Sequence, residues 1–245
     1  MTVVDRWLQL EGLDNVRDIG GLPVVGGGTT RPGVLLRSAS LHYVTPADVR
    51  HLVETFGLSL VLDLRTAREI DRDGPTSVAA AGVETVALSF IPEEGRALPE
   101  TGADTDPLTR NYLGYLADRP ANVVEAVRRL AAPQAGPALV HCAAGKDRTG
   151  VLVALVLDTV GVERAAVVDD YALSATRVEE MFRRWTTAEG GEMPADLTPH
   201  LPRAEAMAQV LATLDREHGG AAGWLRANGL DDSSMARLRE RFTVG

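Results

Sequence analysis

The chain has 245 residues, of which 45% are hydrophobic and 24% charged, with one cysteine and a formal charge of -9. That length and mix suit a folded core without staples and exclude a disordered chain. A single cysteine excludes an intramolecular disulfide and any multi-cysteine metal cluster. The acidic balance argues against general affinity for nucleic acid or an anionic membrane.

Of the 25 Lys and Arg residues, 24 are arginine, a bias that accompanies abundant Ala and Gly as in a GC-rich genome. The one lysine, Lys146, stands four positions from Cys142. No apolar run of about eighteen residues marks a membrane span. The first residues lack the basic-then-apolar pattern of a signal peptide. The expectation is a cytoplasmic protein, with secretion without a signal peptide left open. No repeat or low-complexity linker divides the chain, so a single domain over 1–245 is expected.

Thr45-Pro46-Ala47-Asp48 opens a helix, with Thr45 as cap, Pro46 in the first turn and an acidic residue at the third position. Val49, Leu52, Val53 and Phe56 follow at helical spacing and Gly57 ends it. Residues 58–63 predict a short buried strand, followed by a helical turn over 66–71 and a strand over 83–89. Prolines and glycines among acids make 91–107 a surface loop. Helices are expected over 107–118 and 121–132, and a buried strand over 137–141. The apolar run 149–158 fits helix or strand by periodicity alone. A helix from 162 to 186 carries Val167, Tyr171, Ser174, Val178, Met181 and Trp185 on one face. Residues 190–202 are irregular and two further helices close the chain. Alternating strands and helices predict an α/β fold, a central mainly parallel sheet flanked by helices.

Between the 137–141 strand and the 149–158 run lies His141-Cys142-Ala143-Ala144-Gly145-Lys146-Asp147-Arg148-Thr149-Gly150. A lone cysteine is ordinarily a small buried hydrophobe. Three charges within six residues of it, between two apolar segments, are expensive unless they face a cleft. Five residues separate Cys142 from Arg148, enough for a loop that curls round a tetrahedral oxyanion. Backbone N–H groups of 143–148 would point inward, with the positive end of a following helix aimed at the same spot. That reading makes 149–158 a helix. The N–H array and Arg148 favour a Cys142 thiolate, a nucleophile at neutral pH. Arg148 can hold two phosphoryl oxygens at once, as lysine cannot. Ala143, Ala144 and Gly145 line the cradle, and Thr149 can donate its hydroxyl to the departing sulfur. Lys146 adds a second cation suited to substrates with more than one phosphate; its other reading is a solvated loop lysine.

This string resembles the Cys-x5-Arg phosphate loop of the protein tyrosine phosphatase superfamily, and His-Cys-x-x-Gly-Lys-Asp-Arg-Thr-Gly is similar to that of its bacterial atypical group. The likeness extends to Asn15-x-Arg17-Asp18-x-Gly20-Gly21, Arg37-Ser38-x-x-Leu41, Asp63-Leu64-Arg65 with Glu69, and Asp170-Tyr171. It implies a phosphatase fold and a phosphocysteine intermediate, with no metal and no cofactor. Phosphotyrosine in proteins is the implied substrate, with phosphoserine, phosphothreonine or phosphoinositides also within range. In mycobacterial members the region comparable to 187–203 forms a helical lid, so the extra C-terminal helices are candidates for one. The oligomeric state is not legible.

Many superfamily members take the leaving-group proton from a Trp-Pro-Asp loop, which this chain lacks. The resemblance favours Asp147 as general acid. Asp63 ends a strand, where ligands of open α/β sheets gather, and is the alternative; its other reading is a carboxylate paired with Arg65 or Arg17. Asn15, Arg17 and Asp18 are expected to form a buried network behind the loop, with His141 bracing it. Walker A, Gly-x-Ser-x-Gly and His-Glu-x-x-His patterns are absent. A phosphate-binding module without turnover is the rival from another class. Arsenate reduction lacks its second thiol, and a rhodanese-like transferase leaves Asp147 and Arg148 together unexplained.

Overall fold

A computed structural model describes residues 6–74, 76–93 and 106–245. Most of the loop expected over 91–107 lies outside the described residues. The first strands are β1 (Arg17–Asp18), β2 (Thr29–Thr30) and β3 (Leu35–Ser38). Helix α1 (Pro46–Arg50) carries the expected cap: Thr45 Oγ1 accepts from Asp48 N, and the Asp48 carboxylate accepts from Thr45 N. A wider π turn over His51–Thr55 continues it to Gly57, whose φ of 76° ends the run. Then come β4 (Leu60–Asp63), α2 (Ala67–Asp73), α3 (Ser77–Ala80) and β5 (Glu84–Ala87). Prolines open both α4 (Pro107–Asp118) and α5 (Pro120–Leu130), where a missing N–H costs nothing.

β6 (Ala138–His141) leads into α6 (Asp147–Thr159). Nearly every side chain of α6 is buried, which is why its apolar run shows no helical stripe. The single helix expected over 162–186 is broken into α7 (Arg164–Ala172), a 3-10 turn (Leu173–Arg177) and α8 (Val178–Glu189). The break sits where the buried Ser174 hydroxyl accepts from Arg17 at 3.0 Å, a distant partner that periodicity does not reveal. Three helices close the chain where two were expected: α9 (Ala204–His218), α10 (Ala221–Ala227) and α11 (Asp232–Phe242). Gly219 and Gly220, both at positive φ, separate the first two. A last strand, β7 (Thr243–Val244), pairs with β2. Among the described residues no helix is long and apolar enough to cross a membrane.

The main sheet has the order β1-β3-β6-β4-β5, parallel except for β1 at one edge. Side chains alternate across it. Leu35, Leu60, Leu62, Ala138 and Val140 face the core built with α4–α6 and α9–α11, whereas Leu36, Val61 and Leu139 face α1 and α3. Each of these buried leucines and valines contributes about 1.5–3 kcal/mol. The register sets Ser38, His141 and Asp63 side by side at the carboxyl ends of β3, β6 and β4. The segments that follow these three central strands therefore converge at the carboxyl end of the sheet.

Candidate active site

The Cys142–Lys146 segment, between β6 and α6, turns every one of its carbonyls toward the protein. His141 Nδ1 lies 3.3 Å from Cys142 O, and Ser40 N donates to Ala143 O at 2.9 Å. Asn15 Nδ2 donates to Ala144 O and Gly145 O at 3.0 and 3.2 Å. Arg37 Nη2 reaches Gly145 O at 2.9 Å and Lys146 O at 3.4 Å. A trans peptide points its N–H opposite its C=O. The N–H groups of Ala143 to Asp147 are thereby turned to the other, inner side, where α6 also presents its positive end. Gly145 makes the bend possible: its φ is 64°, and a Cβ there would sit 2.1 Å from Ser38 O.

The donors behind the loop form one buried cluster. Asp170, fully buried, pairs with Arg37 at 2.7 Å, Arg17 at 3.2 Å and Arg6 at 2.7 Å. Burial opposes its charge, but the three guanidiniums hold its carboxyl well below the usual range. Burial pushes Arg17 down to about 9, with Arg37 repelling it and Asp170 pulling the other way. Arg17 Nη1 in turn donates to Asn15 Oδ1 at 2.7 Å, orienting the amide that grips the loop. Asn15 and Arg17 thus support the loop as expected. The Asp18 carboxylate instead accepts from Gly20 N and Gly33 N, bracing the turns flanking β2.

Cys142 is 2% exposed, at the base of the loop. Arg148, in the first turn of α6, is fixed by Glu69 on α2: Nη1 donates to Oε2 at 2.6 Å and Nη2 to Oε1 at 2.7 Å. Nη1 also reaches Leu64 O at 3.3 Å. A guanidinium has five N–H groups, so the Nε–H and one Nη2–H remain on a single edge, the geometry that grips two oxygens of a phosphoryl group. Burial works against the Glu69 carboxylate, yet the Arg148 hydrogen bonds and charge hold it down to about 2. Burial likewise disfavours the Arg148 charge, which Glu69 and the nearby Cys142 raise above its usual value.

Asp147, the first residue of α6, accepts on Oδ1 from the Tyr112 hydroxyl, which lies 2.6 Å from the Tyr171 hydroxyl. Lys146 Nζ lies 3.5 Å from Asp147 Oδ2 and donates to His200 O, within the 187–203 region. Ala144, Phe182, Trp185 and Leu201 all pack against the buried cluster of Ala39, Val178 and Met181, which brings α8 and this segment beside the loop. A cavity of about 260 Å³ opens beside them, bordered by His42, Tyr43, Ala143, Trp185 and Glu69.

Asp63, 4% exposed, is committed elsewhere. Both its oxygens accept from Arg65 at 2.7 to 3.1 Å, and His141 Nε2 lies 3.7 Å away. Burial raises its carboxyl, but His141 and Arg65 outweigh that and hold it below the ordinary range. Arg65 continues to Ser40 and Asp73. The Thr149 hydroxyl is fully buried and reaches no partner among the described residues, so the expected bond to Cys142 Sγ is not formed. Sequence reasoning placed Glu69 and Asp170 in motifs without giving them partners, and passed over Tyr112. Only the Glu69 spacing in Asp-Leu-Arg-x-x-x-Glu signalled a role.

The model of the tyrosine phosphatase family matches residues 8–244. The chain belongs to that family. As a tyrosine phosphatase it has curated relatives of similar length. A tyrosine-protein phosphatase of Nostoc commune is 32% identical, covering 84% of this chain and 73% of its own. The triple specificity protein phosphatase PtpB of Mycobacterium tuberculosis is 28% identical, covering 94% and 97%. Among solved structures, the core catalytic domain of the PP-IP phosphatase SIW14 of S. cerevisiae is similar with a TM-score of 0.42 at 14% identity, over 74% of this phosphatase and 96% of that chain.

Proposed function

We propose that this phosphatase cleaves phosphate monoesters through a phosphocysteine on Cys142. The observation that carries the reading is the loop whose carbonyls are all tied outward, leaving its N–H groups and the Arg148 edge for three phosphoryl oxygens. The Cys142 thiolate attacks phosphorus in line, and the bond to the leaving oxygen breaks. Asp147 gives that oxygen its proton. Water then attacks the phosphocysteine, the Asp147 carboxylate takes the water proton, and the thiolate departs with free phosphate released. Ala143, Ala144, Gly145 and Lys146 contribute the phosphate cradle, with the buried Thr149 next to Arg148 in the first turn of α6. Asp63 anchors Arg65 and His141 under the loop; a carboxylate paired on both oxygens has no proton to give. Phosphotyrosine is the first substrate class. Phosphoserine, phosphothreonine and phosphoinositides are the further classes, a breadth in keeping with the triple specificity in the name of the mycobacterial relative, and the cytoplasm is the proposed place of action.

Phosphate release from a phosphotyrosine peptide, a phosphoserine peptide and a phosphoinositide tests this on wild type, Cys142→Ser, Asp147→Asn and Asp63→Asn. Wild type turns over the first, Cys142→Ser binds it without turnover, and Asp147→Asn loses roughly a hundredfold or more. Asp63→Asn lowers the melting temperature instead. Absence of wild-type turnover under reducing conditions leaves the phosphate-binding module as the answer. A larger loss in Asp63→Asn than in Asp147→Asn reassigns the acid.

A further inference from the structure

We propose that Tyr112 is a positioning residue for Asp147, with its hydroxyl aimed by Tyr171; the inference rests on Asp147 acting as the general acid. Three helices meet at this point: Tyr112 on α4, Asp147 at the start of α6 and Tyr171 on α7. Both tyrosines are fully buried, 0% and 1% exposed.

A phenol carries one hydrogen. The Tyr112 hydrogen goes to Asp147 Oδ1, so across the 2.6 Å contact Tyr171 is the donor and Tyr112 the acceptor. Both donors then run one way, toward the carboxyl. Burial and the Asp147 charge push the Tyr112 phenol far up, so it keeps its hydrogen for Asp147 while its oxygen accepts from Tyr171. With Oδ1 occupied by that hydrogen, the proton for the leaving group belongs on Oδ2. Lys146, whose ammonium donates to His200 O, reaches Oδ2 only as an ion pair at 3.5 Å. Tyr112 thus selects which oxygen is the acid and fixes the plane of the carboxyl.

Ring packing keeps the hydroxyl in place. Tyr112 and Tyr171 meet edge-on with centroids 5.9 Å apart, and Tyr115 stacks on Tyr112 at 6.0 Å. Gly150 admits the pair: a Cβ there would come within 2.8 Å of the Tyr171 ring. The glycine that closes the Lys-Asp-Arg-Thr-Gly string therefore has a packing reason that leads back to the acid.

The test compares kcat/KM on two esters. Phenyl phosphate needs a proton as its phenol departs, whereas dinitrophenyl phosphate releases a stable anion. Tyr112→Phe is expected to lower kcat/KM about tenfold on phenyl phosphate and to leave dinitrophenyl phosphate within about twofold. In an Asp147→Asn background Tyr112→Phe adds no further loss on phenyl phosphate, because both changes remove the same act. Tyr171→Phe, which keeps the direct donor, shows the same split at smaller size and stands in if Tyr112→Phe fails to fold. Equal loss on both esters, or additivity with Asp147→Asn, makes Tyr112 structural and overturns the proposal. If Asp147→Asn alone affects both esters equally, the acid assignment fails, and the positioning role falls with it.

Discussion

Replacing Glu69 with glutamine keeps an acceptor of the same shape against Arg148 and removes its charge. In the folded protein Glu69 is held at about 2, against 4.5 for an ordinary glutamate, which corresponds to about 3 kcal/mol in favour of its ionised form. Arg148 and the Thr66 cap share that sum, since Thr66 N and Oγ1 both donate to Oε2. Glutamine retains one oxygen for Arg148 but turns an amide against its second nitrogen. Misplacing the guanidinium that the proposed mechanism sets on two phosphoryl oxygens is then expected to lower kcat/KM roughly tenfold to a hundredfold. Phosphate release from a phosphotyrosine peptide measures it, with melting curves run alongside. The pH dependence has a defined sign. A depressed carboxyl stabilises the fold above its ordinary value near 4.5, and that contribution is lost as pH falls toward about 2. Arg148 stays charged throughout, so the Glu69 titration alone carries this term. Wild type should lose stability across that window more steeply than Glu69→Gln. A variant with kcat/KM within about threefold of wild type refutes the tether.

Two further substitutions probe the loop from behind. Gly145→Ala puts a Cβ 2.1 Å from Ser38 O at a φ of 64°, so the bend must open; phosphotyrosine hydrolysis is expected to fall at least about a hundredfold. Asp170→Asn leaves Arg17 and Arg37 buried without a full counter-charge, and should cost about 3–5 kcal/mol, a fall in melting temperature of roughly 10 °C by calorimetry. An unchanged melting temperature would remove Asp170 from the centre of the network.

Local signals in the sequence carried far at two places. Thr45-Pro46 announced α1 because capping chemistry is contained in four residues, and Cys142 to Gly150 announced the loop because its functional groups are contiguous. Asp147, the first residue of α6, sits earlier than the apolar run suggested, since helix and loop share it. What stayed hidden depends on distance. β3 is only four residues long, buried on both faces and flanked by polar turns, so it offers no alternating pattern to read. Tyr112 lies 35 residues from Asp147, on a helix whose own pattern only says that one face is buried. The resemblance alone ranked Asp147 ahead of Asp63 as the acid; the Arg65 fork closing on both Asp63 oxygens, a contact no spacing reveals, adds a geometric difference between them. The break at Ser174 shows the same limit, because its partner Arg17 is 157 positions away.

The tethered loop carries a lesson about order of assembly. Its shape is held by Asn15 from 130 positions upstream, and that amide is aimed by Arg17, which reaches across 153 positions to Asp170. Contacts of such separation close late, after the local helices have formed. A chain emerging from the ribosome or recovering from denaturant would therefore show most of its helix before it can hold a phosphate. Activity becomes a report on completed folding, and half-made molecules are silent toward substrate.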